Sequence, residues 1–146
     1  MRRIGVIGAG QMGSGIAHVC AVAGLDVRVV DVADEALSRA VALVEHNLGR
    51  QVARGKLAEA DMQAALARIS TGTDYAAFGD CDLVIEAATE NEEVKREVFK
   101  QLVPHLNADA LIATNTSSIS ITRLAAATDR PGRFVGMHFM NPVPVM

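Results

Sequence analysis

The feature that most constrains the fold is a glycine cluster, Gly8-Ala9-Gly10-Gln11-Met12-Gly13, set between a short apolar run and a helical pattern. Arg3 to Ile7 is brief, largely apolar and leads straight into it. Gln11 to Ala23 follows, with Met12, Ile16, Val19, Cys20 and Ala23 recurring at helical spacing. A second apolar run, Val27 to Val30, then closes on Asp31, 18 residues beyond Gly13. A strand, a tight turn, a helix and a second strand in so short a span imply two parallel strands joined by a crossover helix.

Runs of the same type recur at Leu83 to Ile85, Leu111 to Ala113 and Phe134 to Gly136, with a weaker one at Ile69 to Thr71. Brief, uninterrupted β-branched runs suit strands covered on both faces. Between them, Asp34 is the expected N-cap of a helix reaching Arg54, with Leu37, Val41, Val44, Leu48 and Val52 on one stripe and Gly55 as its stop. Further helices are expected over Glu59 to Ala67, over Asn91 to Val103 before Pro104, and after Ser120. The expected fold is therefore α/β: a Rossmann-type, doubly wound, mostly parallel sheet with helices on both faces and a helical excursion after the second strand.

Composition narrows the function classes. The chain has 146 residues, half of them hydrophobic (50%), enough for one packed domain over 1–146 without a linker or repeat. With 17 acids against 14 bases there is no broad cationic face, so a nucleic-acid partner is not expected. The longest nearly apolar stretch, Gly15 to Leu25, is too short to span a bilayer and contains His18, so no membrane association is expected either. The opening residues lack the apolar length of a signal peptide, which leads to the expectation of a cytoplasmic protein. Cys20 and Cys81 lack CxxC spacing and read as buried free thiols, and no metal site is expected. The apolar, proline-rich end, Asn141 to Met146, reads as part of a longer chain.

The glycine cluster has the form G-x-G-x-x-G, weak alone but here in its proper context. Gly8 permits the tight turn, Gly10 lets the backbone approach a pyrophosphate, and Gly13 lets the helix pack close to the strand. The amides of Gln11 and Met12 then lie at the positive end of the helix dipole. Asp31 is placed to accept hydrogen bonds from the adenine ribose and to repel a 2′-phosphate, and Val32-Ala33 offers no arginine to hold one. The expected cofactor is NAD rather than NADP. The cradle says what binds and leaves the reaction open.

Two strand ends are unusually polar. Thr114-Asn115-Thr116-Ser117-Ser118 follows the Leu111 run, and Met137-His138-Phe139-Met140-Asn141-Pro142 follows the Phe134 run. Ligands in open α/β sheets meet such ends. The hydroxyl cluster also suits a solvated turn or a helix cap, the better reading for Ser118 and Ser120. His138 also suits a core histidine satisfied by the backbone, and His18, His46 and His105, within or near helical patterns, fit that reading well. His138 differs by ending a strand before a proline-punctuated loop, where an imidazole can take the proton of an alcohol as its carbon gives up hydride.

Together, Gly8 to Gly13, Glu90-Asn91, Asn115 to Ser118 and His138 to Pro144 resemble the NAD-binding domain of the L-3-hydroxyacyl-CoA dehydrogenases, and within them the bacterial 3-hydroxybutyryl-CoA dehydrogenase branch. The resemblance runs over the whole chain. It implies oxidation of the 3-hydroxyl of an acyl-CoA with NAD, or the reverse. It implies that His138 is the catalytic base and that Ser117 contacts the reacting oxygen beside the nicotinamide. Glu90 and Lys95 match cofactor-contacting positions, although Glu90 alone also suits a helix N-terminal acid. Asn115 and Asn141 match positions lining the nicotinamide pocket. The family's glutamate that orients the histidine, and its helical C-terminal domain with the rest of the acyl-CoA cleft and the homodimer interface, have no counterpart among these residues.

Asn47, Arg50 and Arg54 share one flank of the helix after Asp34, with Lys56 just past Gly55. A solvated helix flank with cations near its C-terminus explains the stripe by itself. The resemblance instead implies contact with the phosphates of coenzyme A. Two function classes follow: an NAD-dependent 3-hydroxyacyl-CoA dehydrogenase, or a non-catalytic NAD-binding module. A dehydrogenase acting on a non-CoA hydroxy acid fits the paired strand-end motifs less well.

Overall fold

The computed structural model describes residues 1–146. Six strands form one parallel sheet: β1 (Arg3–Ile7), β2 (Asp26–Val30), β3 (Ile69–Gly72), β4 (Leu83–Glu86), β5 (Leu111–Thr114) and β6 (Phe134–Gly136). Their order across the sheet is β3-β2-β1-β4-β5-β6. The order reverses between β1 and β4, the crevice where doubly wound sheets receive ligands. The helices are α1 (Gln11–Val22), α2 (Asp34–Ala53), α3 (Glu59–Ala67), α4 (Glu92–Leu102) and α5 (Ile121–Ala125).

The uninterrupted strand runs reflect two covered faces. Ile4, Val6, Val27, Val29, Leu83, Ile85 and Ala113 join α1, α2 and α3 in one core cluster. Their neighbours Ile7, Val30, Val84 and Ile112 join Phe78, Phe99, Leu102 and Leu124 in the other. Because side chains alternate along a strand, each run must be apolar at every position. A 3₁₀ turn, Tyr75–Phe78, which the hydrophobic pattern does not announce, feeds Phe78 into the second cluster.

Helix boundaries follow local chemistry. Gly55, at φ +70°, ends α2 with paired bonds from its own N–H to Val52 O (3.0 Å) and from Lys56 N–H to Gln51 O (2.9 Å). The start of α2 differs from expectation. Ala33 occupies the N-cap without a side-chain bond, and Asp34 is the first helical residue, where with Glu35 it complements the dipole. Asn91 caps α4 by accepting from Val94 N–H at 3.1 Å.

The histidines also depart from expectation. His46 and His105 are exposed rather than part of a core. His18 is buried, yet its Nε2 pairs with the side-chain Oε1 of Gln51 at 3.1 Å, and its Nδ1 has no partner. Burial lowers its pKa from the ordinary value, and the Gln51 bond opposes this only in part. Of the two thiols, Cys81 is buried and Cys20 half-buried, and desolvation pushes both up to about 11. No helix is long and apolar enough to cross a membrane.

Candidate active site

The glycine cradle has the geometry a dinucleotide requires. Gly8 sits at φ +103°, and a Cβ there would lie 2.7 Å from Ala87 O. A Cβ on Gly13 would lie 1.8 Å from Gly8 O, so α1 crosses β1 at a distance that only glycine permits. Gly10 is the opposite case: a Cβ would meet nothing within 4 Å, and the backbone there is extended. Gly10 is the N-cap of α1, with no side-chain cap and no acid in the first turn. The first amides of α1 are therefore left for an anion.

Asp31 stands at the end of β2 beside this cradle. Its Oδ2 accepts from Ala9 N–H at 2.9 Å and its Oδ1 from Ala33 N–H at 3.1 Å. The carboxylate is thus fixed in place and faces a cleft of about 550 Å³, lined also by Val32, Tyr75 and His105. Tyr75 is held protonated, its pKa raised by burial first and then by the negative charges of Asp31 and Glu86. These residues fit a dinucleotide with an unphosphorylated ribose, anion at the helix end and hydroxyls at the carboxylate.

Across the crevice, the ends of β4, β5 and β6 are tied together. Glu86 closes β4, fully buried and directly opposite Thr114 in the β4–β5 register. Its Oε1 accepts from Thr114 Oγ1 at 2.8 Å and from Lys95 Nζ, and its Oε2 from Ala88 N–H at 2.8 Å. Lys95 is 1% exposed, so its charge is compensated within the fold. With Met12, Glu90 and Asn115 it lines a cavity of about 170 Å³. Glu90 Oε2 accepts from Thr116 Oγ1 (3.0 Å) and Ser118 Oγ (3.1 Å).

Asn115 links β5 to the histidine segment. Its Oδ1 accepts from Phe139 N–H at 2.7 Å, and Met137 N–H bonds to Thr114 O at 2.9 Å. His138, between those two amides, is exposed, as are Ser117 and Asn141. The chain then turns over α1, where Gly15 leaves room: a Cβ there would be 2.8 Å from Val143 Cβ. Pro142, Pro144 and Val145 reach a cleft of about 410 Å³ whose other wall is Asn47, Arg50, Gln51, Arg54 and Lys56.

The model of the 3-hydroxyacyl-CoA dehydrogenase NAD-binding domain matches residues 3–146. The chain belongs to that family. It is 54% identical over its full 146 residues to 3-hydroxybutyryl-CoA dehydrogenase of Bradyrhizobium diazoefficiens, covering 50% of that relative. It is 45% identical over 146 residues to 3-hydroxyadipyl-CoA dehydrogenase of Escherichia coli, covering 100% of this chain and 31% of the relative. The crystal structure of (S)-3-hydroxybutyryl-CoA dehydrogenase from Ralstonia eutropha superposes with a TM-score of 0.98 at 52% identity, over 100% of this chain and 52% of the other. The chain thus spans about half the length of 3-hydroxybutyryl-CoA dehydrogenases it matches. NAD is the family's cofactor, in keeping with the cradle.

For this family domain, the sequence-predicted residues fall into four sets. Gly8, Gly10, Gln11, Gly13 and Asp31 form the cradle, Met12, Glu90, Lys95 and Asn115 the neighbouring cavity, and Asn47, Arg50, Arg54 and Lys56 the basic cleft. Ser117, His138 and Asn141 lie on the exposed strand-end segments. Sequence reasoning missed Glu86, whose signal was a charged residue ending an otherwise apolar strand. It also missed Gln51, one helical turn from Asn47 on the same flank of α2, and did not join the prolines of the final segment to the basic cleft.

Proposed function

We propose that the protein carrying this domain interconverts an L-3-hydroxyacyl-CoA and its 3-ketoacyl-CoA with NAD. Short chains, 3-hydroxybutyryl-CoA and acetoacetyl-CoA, are its substrates, in fatty-acid or butanoate-type metabolism in the cytoplasm. The observation that carries this reading is the bond from Phe139 N–H to Asn115 Oδ1, which fastens the His138 segment to the Ser117 segment at adjacent strand ends. The similarity to 3-hydroxybutyryl-CoA dehydrogenases supports the substrate class.

In this reading His138 accepts the proton of the substrate hydroxyl as general base, and Ser117 donates a hydrogen bond to the same oxygen. Bound NAD supplies the hydride acceptor for the substrate's C3. Glu90, Lys95, Asn115 and Asn141 border the cofactor, and Arg50, Arg54 and Lys56, with Asn47, bind coenzyme A phosphates. A helical C-terminal domain supplies the glutamate that orients His138, the rest of the acyl cleft and a homodimer interface. The second reading, an NAD-binding module without turnover, draws on one observation: His138 has no hydrogen bond or ion pair to a carboxylate of this chain.

The test is NADH oxidation with acetoacetyl-CoA, on this chain and on a longer chain carrying the expected C-terminal domain. NADH binding by both and turnover by the longer chain are expected. NADH binding without turnover by the longer chain would favour the binding module.

A further inference from the structure

The hydroxyls at the end of β5 are divided among three partners. Thr114 Oγ1 donates to Glu86. Thr116 and Ser118 both donate to Oε2 of Glu90, at 3.0 and 3.1 Å. Ser120 Oγ accepts from Arg123 N–H at 3.3 Å and caps α5. Ser117 is the one hydroxyl from 114 to 120 that makes no hydrogen bond to the chain, and it stands between the two that Glu90 holds.

A carboxylate accepts and cannot donate, so Glu90 fixes the direction of both hydroxyl protons. With its proton committed, Thr116 Oγ1 has lone pairs for the amides of Ser118 (3.4 Å) and Ile119 (3.2 Å). Those two bonds close the turn on which Ser117 sits. Without the acceptor, the hydroxyl of Thr116 is free to rotate and the turn loses its closing geometry. Oε1 of Glu90 takes no bond from the chain, so the carboxylate can border the cofactor and hold the turn at once.

Resting on the functional reading above, we propose that Glu90 is a positioning residue for Ser117: it locks the 116–119 turn through Thr116 and Ser118 and so fixes where the serine hydroxyl meets the substrate oxygen. The role is distinct from the cofactor contact that the family resemblance implies for the same side chain.

Three variants separate the roles: Glu90→Ala, Glu90→Gln, which keeps an acceptor oxygen, and Thr116→Val with Ser118→Ala, which keeps the carboxylate but removes what it holds. Amide hydrogen exchange of Ser118 and Ile119, read on this chain without ligand, is expected to accelerate about tenfold in Glu90→Ala and less than about threefold in Glu90→Gln. In the longer chain, Glu90→Ala is expected to lower kcat about tenfold, beyond any rise in the KM for NADH that loss of its cofactor contact brings. Glu90→Gln should restore most of kcat, and the double variant should reproduce the loss. Unchanged exchange in Glu90→Ala would overturn the proposal. So would a raised KM for NADH at unaltered kcat, or a double variant as active as the parent. Absence of turnover in the unmodified longer chain would instead overturn the functional reading, while the exchange result still decides whether Glu90 holds the turn.

Discussion

Two glycines of one motif should fail in opposite ways. A methyl at position 13 would lie 1.8 Å from Gly8 O, about half an ordinary carbon–oxygen contact, and the obstacle is main chain that is itself at φ +103°. Neither atom can yield without moving α1 off β1. Overpacking of this kind costs about 3 kcal/mol, the upper part of its usual range. A domain of this size loses about 3 °C of Tm per kcal/mol, so Gly13→Ala should melt roughly 10 °C lower. A methyl at position 10 would meet nothing within 4 Å. Exchanging an N-cap glycine for alanine costs about 1 kcal/mol or less, so Gly10→Ala should melt within about 3 °C of the parent. It should nevertheless bind NADH at least about tenfold more weakly, because the methyl holds an anion away from the first amides of α1. Thermal melts by circular dichroism and NADH fluorescence titrations measure both quantities. A Gly13→Ala protein with the parental Tm, or a Gly10→Ala protein with parental NADH affinity, would refute this division of labour.

Other consequences follow from the buried charges and the basic cleft. Lys95→Met leaves Glu86 buried without its cation and should cost about 3–5 kcal/mol in urea unfolding. Adding Glu86→Gln should recover most of that, and independent, additive losses would contradict the pairing. The lowered pKa of His18 means the folded state binds its proton less tightly than the unfolded state. The stabilisation from neutral His18 is therefore complete above the ordinary value of 6.5 and is lost as pH falls toward the folded-state value. His18→Gln should flatten the fall in Tm on acidification through that window, and an unchanged slope would contradict it. Charge reversal of Arg50 and Arg54 should weaken coenzyme A binding at least about tenfold by calorimetry and leave NADH affinity unaltered. Equal losses for both ligands would remove the cleft from the substrate's path.

What was legible in the sequence was whatever local spacing controls. The glycine cluster, the runs at Ile4, Val27, Val84 and Ile112, and the Gly55 stop each depend on neighbours a few residues away, and the fold follows from their order. The basic flank was legible too, because Asn47, Arg50 and Arg54 share a helix face. Less legible was anything decided by packing between distant segments. Glu86 looked like the residue after a strand, yet parallel register sets it beside Thr114 and its alternation turns it toward Lys95 on α4. Asp34 has the chemistry of a cap but begins the helix one residue after the cap position, a shift that backbone geometry alone decides. His18, His46 and His105 share similar local patterns, and only tertiary placement makes the first buried and the others exposed.

The most direct test of the site is the steady-state kinetics of His138→Gln in the longer chain, with NADH affinity measured alongside. His138 is exposed and is fastened through its neighbours, so the substitution should leave the fold and the cradle unaltered. The expected result is a kcat lower by about two to four orders of magnitude with NADH affinity retained. Turnover at the parental rate would contradict the assignment of the proton to His138.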